Sequence, residues 1–211
     1  MKTEELIDLL ARQAGPAHRH KVMRLLAAAV AAGAVISLAL LMTLKPLVPG
    51  DFWLTLAPWL KVSYGLALAT AGLWWTDRLA RPGVSSKHAR NSALAALTAM
   101  LLIAVAVWVG TPPEARLNSL LGTDPLGCVR NIALTSVPVA VALFFVLQRL
   151  APTRLRSTGA AAGLAAGAVG STVYSLSCTE TAVTYVAVWY TAGILLVAGL
   201  CAGIGPRVLR W

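Results

Sequence analysis

The 211-residue chain is 58% hydrophobic and 12% charged, with a formal net charge of +10 and a mean hydropathy of +0.73. Soluble domains devote about a quarter of their residues to charge, so this composition excludes an ordinary soluble domain and leaves a membrane protein. A surplus of positive charge can serve nucleic acid, but its distribution along this chain gives it a different use.

Ahead of the first apolar stretch, Thr3 can cap a short helix with Glu4 and Glu5 in its first turn. Leu6, Ile7, Leu9 and Leu10 form its apolar face, and Gly15 and Pro16 end it. About three turns are too few for stability alone in water. Glu4, Glu5 and Asp8 would sit unfavourably on anionic lipid, so the Thr3 to Leu10 segment suits a groove on a cytoplasmic protein better than a membrane surface. His18 and His20 read as part of a solvated basic segment rather than as metal ligands.

Six apolar stretches follow: Leu25 to Leu44, Leu54 to Trp75, Ala93 to Gly110, Cys128 to Leu150, Gly159 to Leu176 and Ala182 to Ile204. Each is near the ~20 residues that cross a ~30 Å hydrocarbon core. Backbone groups at that depth need partners within the segment, and the alternation of a barrel strand is absent, so all six are predicted helices. The first is too long, and lacks the cleavage pattern, for a removed signal peptide. Trp53, Trp59, Trp74, Trp75 and Trp108 mark the two membrane interfaces. Pro138 removes a backbone donor from the fourth helix and predicts a kink. In the fifth, Gly159, Gly163 and Gly167 make a stripe almost without side chains; Gly199 and Gly203 repeat the spacing in the sixth. The two stripes suit packing of these neighbours against each other, with a dimer contact as the rival use, so the oligomeric state stays open.

Charge sets the orientation. Fourteen Lys and Arg residues lie before the first stretch, in the second and fourth connections and in the tail, against Lys45, Lys61, Arg116 and Arg130 on the other side. The positive-inside bias then puts both termini in the cytoplasm, and the cationic segments meet anionic lipid headgroups rather than nucleic acid directly. The expectation is an all-α membrane protein, a bundle of six transmembrane helices. Residues 1–24 form a cytoplasmic segment, 25–204 the six-helix sensor domain and 205–211 a cytoplasmic tail.

Apart from Gln148 and Arg149 at the inner end of the fourth stretch, the charged or amide side chains within the stretches are Lys61, Arg130 and Asn131, all near enough the outer face to reach it by snorkelling. An ion-coupled exporter needs a group near the midplane, and neither a nucleotide loop, a catalytic triad, a cofactor motif nor a metal-ligand cluster stands out. A thiol oxidoreductase would show a Cys-x-x-Cys pair, which is missing. What remains is Cys128, at the outer start of the fourth helix, and Cys178, at the outer end of the fifth, both on the oxidising side. Cys201 reads as a small packing residue. A helix N-terminus and Arg130 favour a thiolate at Cys128, whereas a helix C-terminus and Glu180 disfavour one at Cys178. That predicts oxidation of Cys128 first and its resolution by Cys178. A permanent disulfide stapling two outer loops is the alternative.

The blocks MKTEELIDLLA, FWLTLAPWLKVSYGLALATAGLWW, LGCVRNIALTSVP, LAPTRLR, SLSCTE, AVWYTAGILL and GPRVLRW resemble the NrsF-type (OsrA-like) anti-sigma factors of proteobacteria over essentially the whole chain. The resemblance implies a non-enzymatic six-helix inner-membrane protein that sequesters a cytoplasmic extracytoplasmic-function (ECF) sigma factor of the SigF/EcfF type. It further implies release on oxidative, reactive-chlorine or heavy-metal stress, sensed by two cysteines whose motifs here hold Cys128 and Cys178. A small exporter and a membrane thiol oxidoreductase are the competing functions.

Overall fold

A computed structural model describes residues 21–81 and 83–210. Among them the regular structure is entirely helical. Helix α1 is Lys21–Leu44, α2 Leu56–Leu79, α3 Lys87–Gly110, α4 Pro113–Leu121, α5 Pro125–Gln148, α6 Leu155–Tyr174 and α7 Val183–Val208. A single 3-10 turn, Gly50–Leu54, precedes α2. The expected segment Thr3 to Leu10 and the histidines at 18 and 20 lie outside the described residues.

Each of the six apolar stretches lies on a long helix, and four spans are long and apolar enough to cross a membrane: α1, α3, the α4–α5 unit and α7. Composition explains why α2 and α6 fall short of that test. Helix α6, LRSTGAAAGLAAGAVGSTVY, is built from small residues and has 14 of its 20 residues buried. It is the hub of the bundle, packing on α2, α5 and α7, while α1 lies against α5 and α3 against α2. The outward surface carries Val35, Ile36, Leu101, Leu102, Val109, Val141, Phe145 and Leu200 exposed. A band of large apolar side chains of this kind suits lipid rather than water.

Glycine determines how closely the hub is approached. A Cβ on Gly163 would lie 2.6 Å from Cys201 Cβ and 2.8 Å from Ala198 Cα of α7; one on Gly167 would lie 3.0 Å from Ile194 Cα; Gly159 faces the Cys201 carbonyl. Backbone thus rests on backbone, with dispersion rather than long side chains holding the pair. The matching stripe in α7 needs correction. Gly199 and Gly203 face open space, and the surface α7 offers to α6 is Ile194, Val197, Ala198, Cys201 and Gly205. Spacing alone does not fix which face of a helix turns inward.

One irregularity has a consequence at the site. Residues Val186–Tyr190 of α7 form a π-helical turn. On a regular α-helix, side chains five residues apart diverge by about 140°. The wider turn brings Tyr185 and Tyr190 both to the interior, where each is fully buried. Such turns are frequent at functional sites.

Candidate functional site: an enclosed pair of thiols

One end of the bundle gathers the start of α2, the start of α5, the turn after α6 and the start of α7. Helix α5 begins with Pro125 in its first turn, and the Asp124 carboxylate accepts from the Gly127 amide at 2.9 Å. Pro and Asp at these positions both favour a helix start. Cys128 follows in the first turn, and its amide donates to the Asp124 carbonyl at 3.1 Å. Cys178 lies in the turn that leaves α6. Both are free thiols, both are buried, and both belong to one cluster with Tyr64, Tyr174, Tyr185 and Tyr190. Cys201 is also free but packs in a second cluster, toward the opposite end.

Lys61 and Asn131 are residues that sequence reasoning misplaced: Asn131 is buried in α5, and the larger departure is at Lys61. Instead of snorkelling outward Lys61 is fully buried. Its ammonium donates to the Cys178 carbonyl at 2.8 Å, and it lies 5.4 Å from the Phe52 ring centroid and 6.0 Å from that of Tyr190. The carbonyl bond and two ring faces offset part of the cost of burying a cation. Nothing in the local sequence signals this, because the enclosing groups come from the 3-10 turn, the turn after α6 and α7. Arg130 and Glu180, which sequence proximity assigned to the two cysteines, have other positions. Arg130 is exposed and lines an apolar groove of about 620 Å³ between α5 and α7. The Glu180 carboxylate accepts from the Thr123 amide at 2.8 Å and from the Thr123 hydroxyl at 2.5 Å.

The connection between α3 and α5 closes the cluster from outside. Thr184 donates to the Ser119 carbonyl and Trp189 to that of Leu120, each at 2.8 Å; Tyr185 donates to the Asp124 carbonyl at 2.9 Å. Gly122, at φ +56°, makes the turn between α4 and α5 beside the Tyr185 ring. A side chain there would be strained by the left-handed backbone and would also collide with the ring. These bonds, with the Thr123–Glu180 contacts, pin α4 and the following turn over Cys128 and Cys178. Two enclosed thiols from chain-distant segments thus share one end of the bundle, with a buried ammonium beside one of them. Among the described residues no group of three or more His, Cys, Asp and Glu side chains is placed to hold a metal ion.

The opposite end carries a polar recess of about 370 Å³ lined by Arg78, Arg81, Ser86, Lys87, Thr153 and Arg154, where the α2–α3 and α5–α6 connections meet. Arg81 is paired with the buried Asp77 at 2.6 Å, and the other cations stand without a carboxylate partner among the described residues.

The sequence profile of the family described as "Negative regulator of sigma F" matches residues 10–211. A protein of Azospira oryzae described as a probable anti-sigma-F factor NrsF is 35% identical, and the anti-sigma-F factor NrsF of Caulobacter vibrioides 31% identical. Both alignments cover 100% of this chain and 100% of the relative. No solved structure matches the chain.

Proposed function

The chain belongs to the NrsF family of negative regulators of sigma F, and on that premise we propose that it is an inner-membrane anti-sigma factor for an ECF sigma factor. In this reading its six long helices all cross the membrane, both termini are cytoplasmic, and the thiol end faces the periplasm. It releases the sigma factor when Cys128 and Cys178 are oxidised by reactive chlorine or another oxidant. The observation that carries the sensing role is the joint enclosure of these two free thiols at the end of the bundle away from the arginine-rich connections.

Oxidation to a disulfide would draw the start of α5 and the end of α6 into a new relation. The two helices pack along each other, and the short connection at their far ends bears Arg149 and Arg154. That connection borders the cationic recess, a surface of the right charge for an acidic face of a partner, and Thr3 to Leu10 supply a second contact. Emptying a nearly saturated complex requires the two redox states to differ by about 5.5 kcal/mol in affinity for the sigma factor.

The test is co-purification of the sigma factor from membranes with and without a hypochlorous acid pulse, for the wild type and for Cys128→Ser with Cys178→Ser. Binding lost on oxidation only in the wild type is the expected result. A sigma factor that never co-purifies refutes the anti-sigma role; release that persists in the double variant refutes the cysteine switch alone.

A further inference from the structure

The two thiols of the enclosed pair meet different neighbours, and the difference reverses the order of oxidation that helix polarity suggests. At Cys128 the donors of the helix start are already used: the Gly127 amide by the Asp124 carboxylate and the Cys128 amide by the Asp124 carbonyl. Tyr185 adjoins the Cys128 thiol, but its hydroxyl hydrogen is committed to the Asp124 carbonyl. Arg130 is exposed toward the groove between α5 and α7. Lys61 bears on Cys128 through charge alone, without a hydrogen bond, and negative charge gained at that sulfur would also face the Asp124 carboxylate.

Cys178 has the opposite surroundings. Lys61 is fully buried and donates one N–H to the Cys178 carbonyl, which holds its ammonium beside that residue. The Tyr190 hydroxyl is buried on the π-helical turn, in the cluster that holds Cys178, and its ring lies 6.0 Å from the same ammonium. It has no completed hydrogen bond among the described residues. The nearby carboxylate, Glu180, is held by Thr123. An ammonium and an unspent hydroxyl thus stand beside Cys178, the arrangement that stabilises an oxyanion in a site closed to water.

We infer that Cys178 is the thiol that accepts oxygen from the oxidant, that Lys61 and Tyr190 hold the resulting sulfenate oxygen, and that Cys128 is the resolving thiol. This rests on the reading of the pair as an oxidant sensor. With a hydroperoxide, the Cys178 sulfur attacks one peroxide oxygen. The S–O bond forms as the O–O bond breaks, sulfur loses two electrons, and the departing oxygen takes the thiol proton, leaving as water when the oxidant is hydrogen peroxide. The Cys128 sulfur then attacks the Cys178 sulfur. The S–S bond forms as the S–O bond breaks, and the hydroxyl of the Cys178 sulfenic acid departs as water with the Cys128 proton. Lys61 and Tyr190 are positioning residues in this scheme.

The experiment uses the full chain with Cys201→Ser in lipid nanodiscs, exposed to hydrogen peroxide in the presence of dimedone, with the labelled cysteine identified by mass spectrometry. Cys178 in the Cys128→Ser protein should label about tenfold or more faster than Cys128 in the Cys178→Ser protein. Lys61→Gln and Tyr190→Phe should each slow labelling of Cys178, and Lys61→Arg should recover most of the rate, which a purely structural lysine would not explain. Faster labelling of Cys128 overturns the inference, as do Gln and Phe variants that label at the parent rate. Where a Lys61 variant fails to fold, the two cysteine variants and Tyr190→Phe still decide, because none of them removes a buried charge. Oxidant-driven sigma release measured on the double cysteine variant reports separately on whether the pair is the sensor at all.

Discussion

Gly163→Ala tests the packing of the hub helix most directly. The added methyl would sit 2.6 Å from Cys201 Cβ, 2.8 Å from Ala198 Cα and 2.8 Å from the Val197 carbonyl oxygen. Two of those three atoms belong to the α7 backbone, which cannot turn aside as a side-chain end would, so α6 and α7 must separate locally. Overpacking of this kind costs about 1–3 kcal/mol. For a chain of this size that is about 2–4 °C in Tm per kcal/mol, although part of the cost is returned by the better helix propensity of alanine. Gly203→Ala is the matched control: the same chemical change in a neighbouring helix, with nothing within 4 Å of the new methyl. Thermal unfolding in nanodiscs, followed by helical circular dichroism, should show a clear loss of Tm for Gly163→Ala and none for Gly203→Ala. Equal losses would refute the assignment of the buried and open faces of α7.

Asp124→Ala removes the carboxylate that caps α5 at Gly127 and should cost about 1 kcal/mol, read in the same unfolding assay. Glu180→Ala releases both Thr123 contacts; with the cover over the thiols loosened, N-ethylmaleimide should modify Cys128 and Cys178 faster while Tm changes little. An unchanged rate would show that access to the pair runs elsewhere. Deleting residues 1–10 should weaken sigma-factor binding in membranes and leave the Tm of the bundle unaltered, and undiminished binding would remove Thr3 to Leu10 from the interface.

Helices could be read from the sequence because a run of apolar residues of membrane-spanning length has few other ways to satisfy its backbone. Leu25 to Leu44 became Lys21–Leu44, Ala93 to Gly110 became Lys87–Gly110, and Cys128 to Leu150 became Pro125–Gln148. That Cys128 and Cys178 come to the same end of the bundle was equally legible, since one begins the fourth stretch and the other follows the end of the fifth. Helix α4 was missed, being nine residues long and weakly apolar. The π-helical turn left no local signature either.

Periodicity and composition thus determined the class of fold, the position of the long helices and the pair of thiols, all of which depend on residues close together along the chain. The tertiary structure alone decided that Lys61 turns inward, that Arg130 and Glu180 leave the cysteines they neighbour in sequence, and that Gly199 and Gly203 face outward. Each of these is a choice of helix rotation, and rotation is set by the shapes of segments more than a hundred residues apart, as between Lys61 and Cys178, which no local pattern contains.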